Sequence, residues 1–179
     1  MGTLKTRFFF IFLIWTFFGF SQEKEVLWNS KKRLSWKDFK AAPPKNARAA
    51  ATTASGITYE FSSTHKGAEV LVEYEISTFF YPYKSWYQPN LANDIILSHE
   101  QLHFDISELF ARKMRKEMSR TKFTENVKSE VRGIYRRILK ELKDFQNMYD
   151  DDTNFSRNTE NQLLWNKRIA EALQRQEQY

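Results

Sequence analysis

The chain of 179 residues contains no cysteine. Disulfides, thiolate metal sites, cysteine nucleophiles, covalent haem attachment and a lipid anchor on a processed cysteine are therefore excluded. Glycine and proline are scarce, at 5 and 4 residues, which rules out collagen-like and linker-rich organisation. What remains, 41% hydrophobic and 28% charged residues, is the composition of a globular chain and not of a disordered one. Histidine is rarer still. Two of the three, His99 and His103, lie four residues apart and flank Glu100.

Residues 1–21 read as a secretory signal peptide. Lys5 and Arg7 give a positive start, and the run from Phe8 to Phe20 is almost wholly apolar. Gly19 and Ser21 place small residues three and one before a cut after Ser21. The apolar run is too short for a permanent transmembrane helix. The expectation is an exported chain, periplasmic or secreted, with no membrane span once the signal is removed. Residues 22–179 are then a single domain. Loss of Lys5 and Arg7 lowers the net charge from +6 to +4, a mildly basic balance. No recognition motif accompanies the basic side chains between Arg112 and Lys122, so no nucleic-acid partner is expected.

The hydrophobic period changes along the chain. Leu27, Trp28, Leu34, Trp36 and Phe39 predict an edge strand or turn that drops aromatics onto the core, stopped by Pro43-Pro44. Ile57, Tyr59 and Phe61 alternate with polar residues. Val70, Val72, Tyr74 and Ile76 do the same after a turn at His65-Lys66-Gly67, which predicts a hairpin. Phe79 to Tyr87 reads as a short strand or an ordered aromatic loop. From Leu91 the period is helical. One helix is predicted to about Met118 with Asn93 as its cap, a second from Glu125 to about Met148, and a third from Thr159 to about Gln174. Asp150 to Asn154 reads as an acidic loop. The expected fold class is α+β, with a small, mainly antiparallel sheet packed on three helices.

The first helix carries H-E-x-x-H. Residues four apart on a helix point the same way, so His99 and His103 can bind one zinc ion together. Glu100, rotated by about 100° from His99, falls beside a water polarised by that ion and can take its proton as general base. A small sheet preceding such a helix is the arrangement of zincin metallopeptidases. His65 sits in the predicted turn and reads as an exposed turn residue.

The chain resembles a bacterial domain-of-unknown-function family described as predicted secreted zinc-dependent proteases. The matching pieces are Leu34-Ser35-Trp36-Lys37-Asp38-Phe39 with Pro43, Ser85-Trp86, and His99-Glu100-Gln101-Leu102-His103-Phe104-Asp105-Ile106. Glu108-Leu109, Ala111-Arg112, Tyr149-Asp150, Thr153, Gln162 and Trp165 complete them. The resemblance implies a zincin-like fold, one zinc ion per chain, and hydrolysis of amide bonds in a peptide or protein substrate. It also implies a histidine, a natural third ligand, where this chain has Phe155. Another group must then supply that ligand, because catalytic zinc takes three protein ligands. Glu130 and Glu141 flank the apolar stripe of the second helix, whereas Glu125 points away from it. The acidic stretch lies nearer the expected position and makes Asp150 and Asp152 the leading candidates. The rival expectation is a catalytically degenerate envelope protein that binds a polymer or a partner protein on the same scaffold.

Overall fold

The computed structural model describes residues 25–67 and 69–177; the signal sequence expected at 1–21 lies outside them. In chain order the strands are β1 (Val26–Leu27), β2 (Ala51–Thr52), β3 (Ser55–Lys66), β4 (Glu69–Phe80) and β5 (Trp86–Tyr87). The helices are α1 (Asp94–Arg120), α2 (Val127–Asp152) and α3 (Thr159–Glu177). The architecture is α+β. One antiparallel sheet has the order β1-β4-β3, and a second, small antiparallel sheet pairs β2 with β5.

The predicted alternation folds as a long hairpin, in register from Ser55 opposite Phe80 to Lys66 opposite Glu69. Gly67 makes its turn at φ 61°, a left-handed conformation that costs glycine nothing. The strands run further into the turn than expected, and His65 is exposed near the end of β3. Near the other end Ile57, Ile76 and Phe80 turn inward and are buried.

Helix α1 is capped by Asn93, whose side chain accepts a hydrogen bond from the backbone N–H of Ile96 at 2.9 Å, and it ends at Arg120, two residues beyond Met118. It is buried on nearly every side between His99 and Ala111 because it lies between the hairpin and the other two helices. Ile106, Ala111 and Met114 are fully enclosed and meet Val131 and Ile138 of α2 and Ile169 of α3 in one core. Burying each of these larger aliphatic side chains contributes about 1.5–3 kcal/mol. Helix α2 is amphipathic, with Val127, Val131, Ile134, Ile138 and Leu142 on its buried stripe.

The amino-terminal segment is less regular than an edge strand. After the two residues of β1 it makes one 3₁₀ turn at Trp36–Asp38, held where Asp38 Oδ2 accepts from the Ser35 N–H at 2.7 Å. Leu34, Phe39, Phe80 and Phe104 form a second small core there. Two polar side chains of α1 secure the segment. Gln101 Oε1 accepts from the Leu34 N–H at 2.6 Å, and Asp105 accepts from Trp28 Nε1 at 2.9 Å and from Arg33 Nη1 at 2.7 Å.

The acidic stretch is not a loop. Asp150, Asp151 and Asp152 form the last turn of α2. Carboxylates at a helix C-terminus oppose the macrodipole, which is why sequence pattern stops the helix early. Tertiary partners offset the penalty: Asp152 accepts from Trp165 Nε1 at 3.2 Å, and Asp150 meets two histidines. Asn154, Phe155 and Ser156, at φ 46°, 52° and 70°, then turn the chain toward α3. No helix among the described residues is long and apolar enough to cross a membrane.

Candidate metal centre

His99 and His103 share one face of α1, and the last turn of α2 crosses in front of it. His99 Nε2 lies 3.1 Å from Asp150 Oδ1, His103 Nε2 lies 3.0 Å from the same oxygen, and the two imidazole nitrogens are 3.3 Å apart. These are the three residues among those described whose ligand atoms gather closely enough to hold a metal ion. Of the expected residues, Asp150 therefore joins the histidines and Asp152 does not. Asp152 points to Trp165 on α3. Glu130 is held at the start of α2 by Thr124, and Glu141 pairs with Lys113.

Zinc ligands at 2.0–2.1 Å in a tetrahedral shell are about 3.3 Å from one another. The observed triangle is close to that edge length. The protonation pattern fits as well. His99 Nδ1 faces Gln162 Oε1 at 2.9 Å. The orientation of that amide is set by its Nε2, which donates to Asn166 Oδ1 at 2.9 Å, and by Tyr149 Oη, which donates to Oε1 at 2.9 Å. Nδ1 must then carry the proton, which leaves Nε2 to face the cluster. Protonated, Nε2 donates to Asp150 Oδ1 at 3.1 Å; in the neutral ring its lone pair faces that carboxylate oxygen, an arrangement that a cation satisfies.

Glu100 adds an orphan. Its side chain is 5% exposed, and Oε2 is buried with no hydrogen-bond partner. A buried carboxylate oxygen without a partner is costly, and it signals a group that belongs there. Thr53 reaches the same turn of α1 from the sheet side, donating its hydroxyl to the Glu100 carbonyl at 3.0 Å.

The charges couple. Burial raises the Asp150 carboxyl, but hydrogen bonds from His103 and His99 and their charges outweigh it and hold the group well below the ordinary carboxylate range. Burial lowers the His103 imidazole, and the Asp150 hydrogen bond with the charges of Glu100 and Asp150 reverses that and raises it. Burial lifts the Tyr149 phenol far above its ordinary value, so it stays neutral and remains a donor. Its ring stacks on His99 at 4.6 Å between centroids, and its hydroxyl also reaches the His99 carbonyl at 3.2 Å.

Residues 84–157 match the family model described as "Bacterial protein of unknown function (DUF922)". The matched stretch spans all of α1 and α2 and so contains His99, Glu100, His103 and Asp150; it stops short of Gln162. No curated protein and no solved structure matches the chain.

The cluster lies in a cleft of about 610 Å³ bordered by residues 48–53, the start of α1 and the turn at Phe155–Arg157. Among the described residues strand β2 pairs with β5 alone, which leaves its second edge unpaired, and Ala51 and Thr52 of this strand border the cleft. Phe155 is 55% exposed at the rim. Sequence pattern gave no role to Tyr149 or Gln162 at the metal cluster. Their separation of thirteen residues spans the end of one helix and the start of the next, which no helical period links.

Proposed function

We propose that the protein is an exported zinc-dependent peptidase of zincin-like organisation. His99, His103 and Asp150 would hold the ion, and Glu100 would be the general base. The observation that carries this reading is the convergence of three ligand atoms beside a buried, unpartnered Glu100 oxygen. Zinc, when bound, polarises a carbonyl and brings the pKa of a water close to 7.

The chain's own groups supply the rest. Glu100 takes the proton of the attacking water and delivers it to the leaving amine, two transfers served by one carboxylate whose Oε2 has no hydrogen-bond partner among the described residues. Gln162 fixes the His99 tautomer, and Tyr149 fixes its ring plane. The unpaired edge of β2 favours an extended peptide, whose backbone can hydrogen-bond along it. Asp150 answers the difficulty posed by Phe155, because the third ligand comes from the end of α2 and not from the turn after it.

The test is turnover of a mixed synthetic peptide pool, followed by mass spectrometry, for the zinc-loaded protein and for Glu100→Gln. The expected result is cleavage by the parent and about 10²–10⁴-fold less by the variant, with zinc retained in both. Zinc-loaded protein that cleaves nothing, or a variant as active as the parent, would overturn the reading.

A further inference from the structure

The charge of the cleft points to the substrate. Two carboxylates line it: Asp150, which belongs to the metal-capable group, and Glu100, the neighbour of His99 in sequence. A divalent cation there would neutralise the pair. Two cations also line the cleft: Arg48, on the segment leading into β2, and Arg157, on the turn leading out of α2. Both are exposed, and among the described residues neither has an acidic group within ion-pair distance. The Arg157 side chain donates a long hydrogen bond of 3.5 Å to the Asn154 carbonyl. The N-terminus of α1, at Asn93 and Ile96, opens onto the same cleft and adds its positive dipole end.

The turn that carries Arg157 is built at a cost. Asn154, Phe155 and Ser156 are three successive non-glycine residues in the left-handed region, a conformation that is unfavourable for each. Strain of this kind persists where the surrounding structure holds it, here through the Phe155 N–H donating to the Asp150 carbonyl at 2.9 Å and the Asn158 N–H to the Thr153 carbonyl at 2.8 Å. The result sets an apolar ring and a guanidinium, Phe155 and Arg157, on the lining of the same cleft as Asp150.

We infer that the cleft selects peptides bearing carboxylate groups close to the cleaved bond, with Arg48 and Arg157 as the recognising side chains and Phe155 as an apolar contact beside them. Guanidinium binds carboxylate through paired, charge-assisted hydrogen bonds, and its planar fork discriminates carboxylate from amide. The carboxylate can come from Asp or Glu side chains or from a free C-terminus. The inference rests on the peptidase reading for its cleavage readout only, since binding can be followed separately.

The experiment uses one peptide scaffold in four forms: internal Glu or Gln, each with a free or an amidated C-terminus. Cleavage is measured with the zinc-loaded protein. Binding is measured by fluorescence anisotropy with metal-free Glu100→Gln protein, alone and with Arg48→Gln, Arg157→Gln or the corresponding Lys changes. The expected result is about fivefold preference per recognised carboxylate, lost in the Gln variants and partly restored by Lys. Preference for the Glu form identifies a side-chain carboxylate, and preference for the free terminus identifies the chain end. Charge-selective binding without any cleavage would uphold the inference and overturn the peptidase reading. Cleavage with no preference for carboxylate, or a preference unmoved in both Arg→Gln variants, would overturn the inference and leave the peptidase reading standing. No binding and no cleavage would overturn both.

Discussion

At the scale of single residues, the centre joins two imidazoles and a carboxylate whose ligand atoms all lie within 4.8 Å of one another, a spacing that a single cation can bridge. Gln162 is fully buried and accepts from both Tyr149 and His99, so its carbonyl oxygen decides which imidazole nitrogen is free. Gln162→Ala is expected to lower zinc affinity by about 10–100-fold while leaving the three ligands in place, read by competition with a chromogenic chelator. An unchanged affinity would show that His99 is oriented by its ring stacking alone. The ligand pair His99 and His103, with Glu100, is legible from spacing because a single helix fixes the geometry. Asp150 was legible as one of two acids. Spacing could not choose between them, since the choice depends on which side of α2 faces α1. The contacts of Tyr149 and Gln162 with His99, and the approach of Arg48 and Arg157 to the same cleft, are invisible to pattern, because they come from tertiary packing of separate elements.

At the scale of elements, α1 is the axis of the molecule. One face holds His99 and His103, another takes the hairpin, and Gln101 with Asp105 holds the amino-terminal segment. Met114, in its C-terminal half, has no exposed surface. Met114→Ala is expected to cost about 2–5 kcal/mol in denaturant unfolding, because the packed helices around it close only partly on the cavity. Asp105→Ala should cost about 1–3 kcal/mol by leaving the Trp28 N–H and the Gln101 amide without their acceptor. The loss should appear as faster hydrogen exchange in residues 28–39 before it appears elsewhere. The helices and the hairpin were readable from periods of 3.6 and 2. The C-terminus of α2 was not, because propensity and dipole argue against a helix ending in three aspartates and only contacts with α1 and α3 overrule them.

At the scale of the whole molecule, a metal held by His99, His103 and Asp150 would tie α2 to α1, which the apolar core already joins together with α3. A ligand that binds the folded state alone stabilises it by mass action. Zinc at about a hundred times its dissociation constant should add about 2.7 kcal/mol, or roughly 5–10 °C in Tm for a chain of this size, and EDTA should remove that increment. A chain without cysteine has no disulfide to hold these elements together, so the increment should be the same under reducing and oxidising conditions. A Tm insensitive to both zinc and chelator would mean that the two helices are held by packing alone.

The most direct measurement is zinc per chain by elemental mass spectrometry, on protein purified without chelator, for the parent and for Asp150→Ala and Asp152→Ala. The expected values are about one zinc per chain in the parent and in Asp152→Ala, and a loss of metal in Asp150→Ala comparable to that in His99→Ala. Metal-free parent protein that takes up no added zinc, or an Asp150→Ala variant that binds as tightly as the parent, would contradict the metal centre described above.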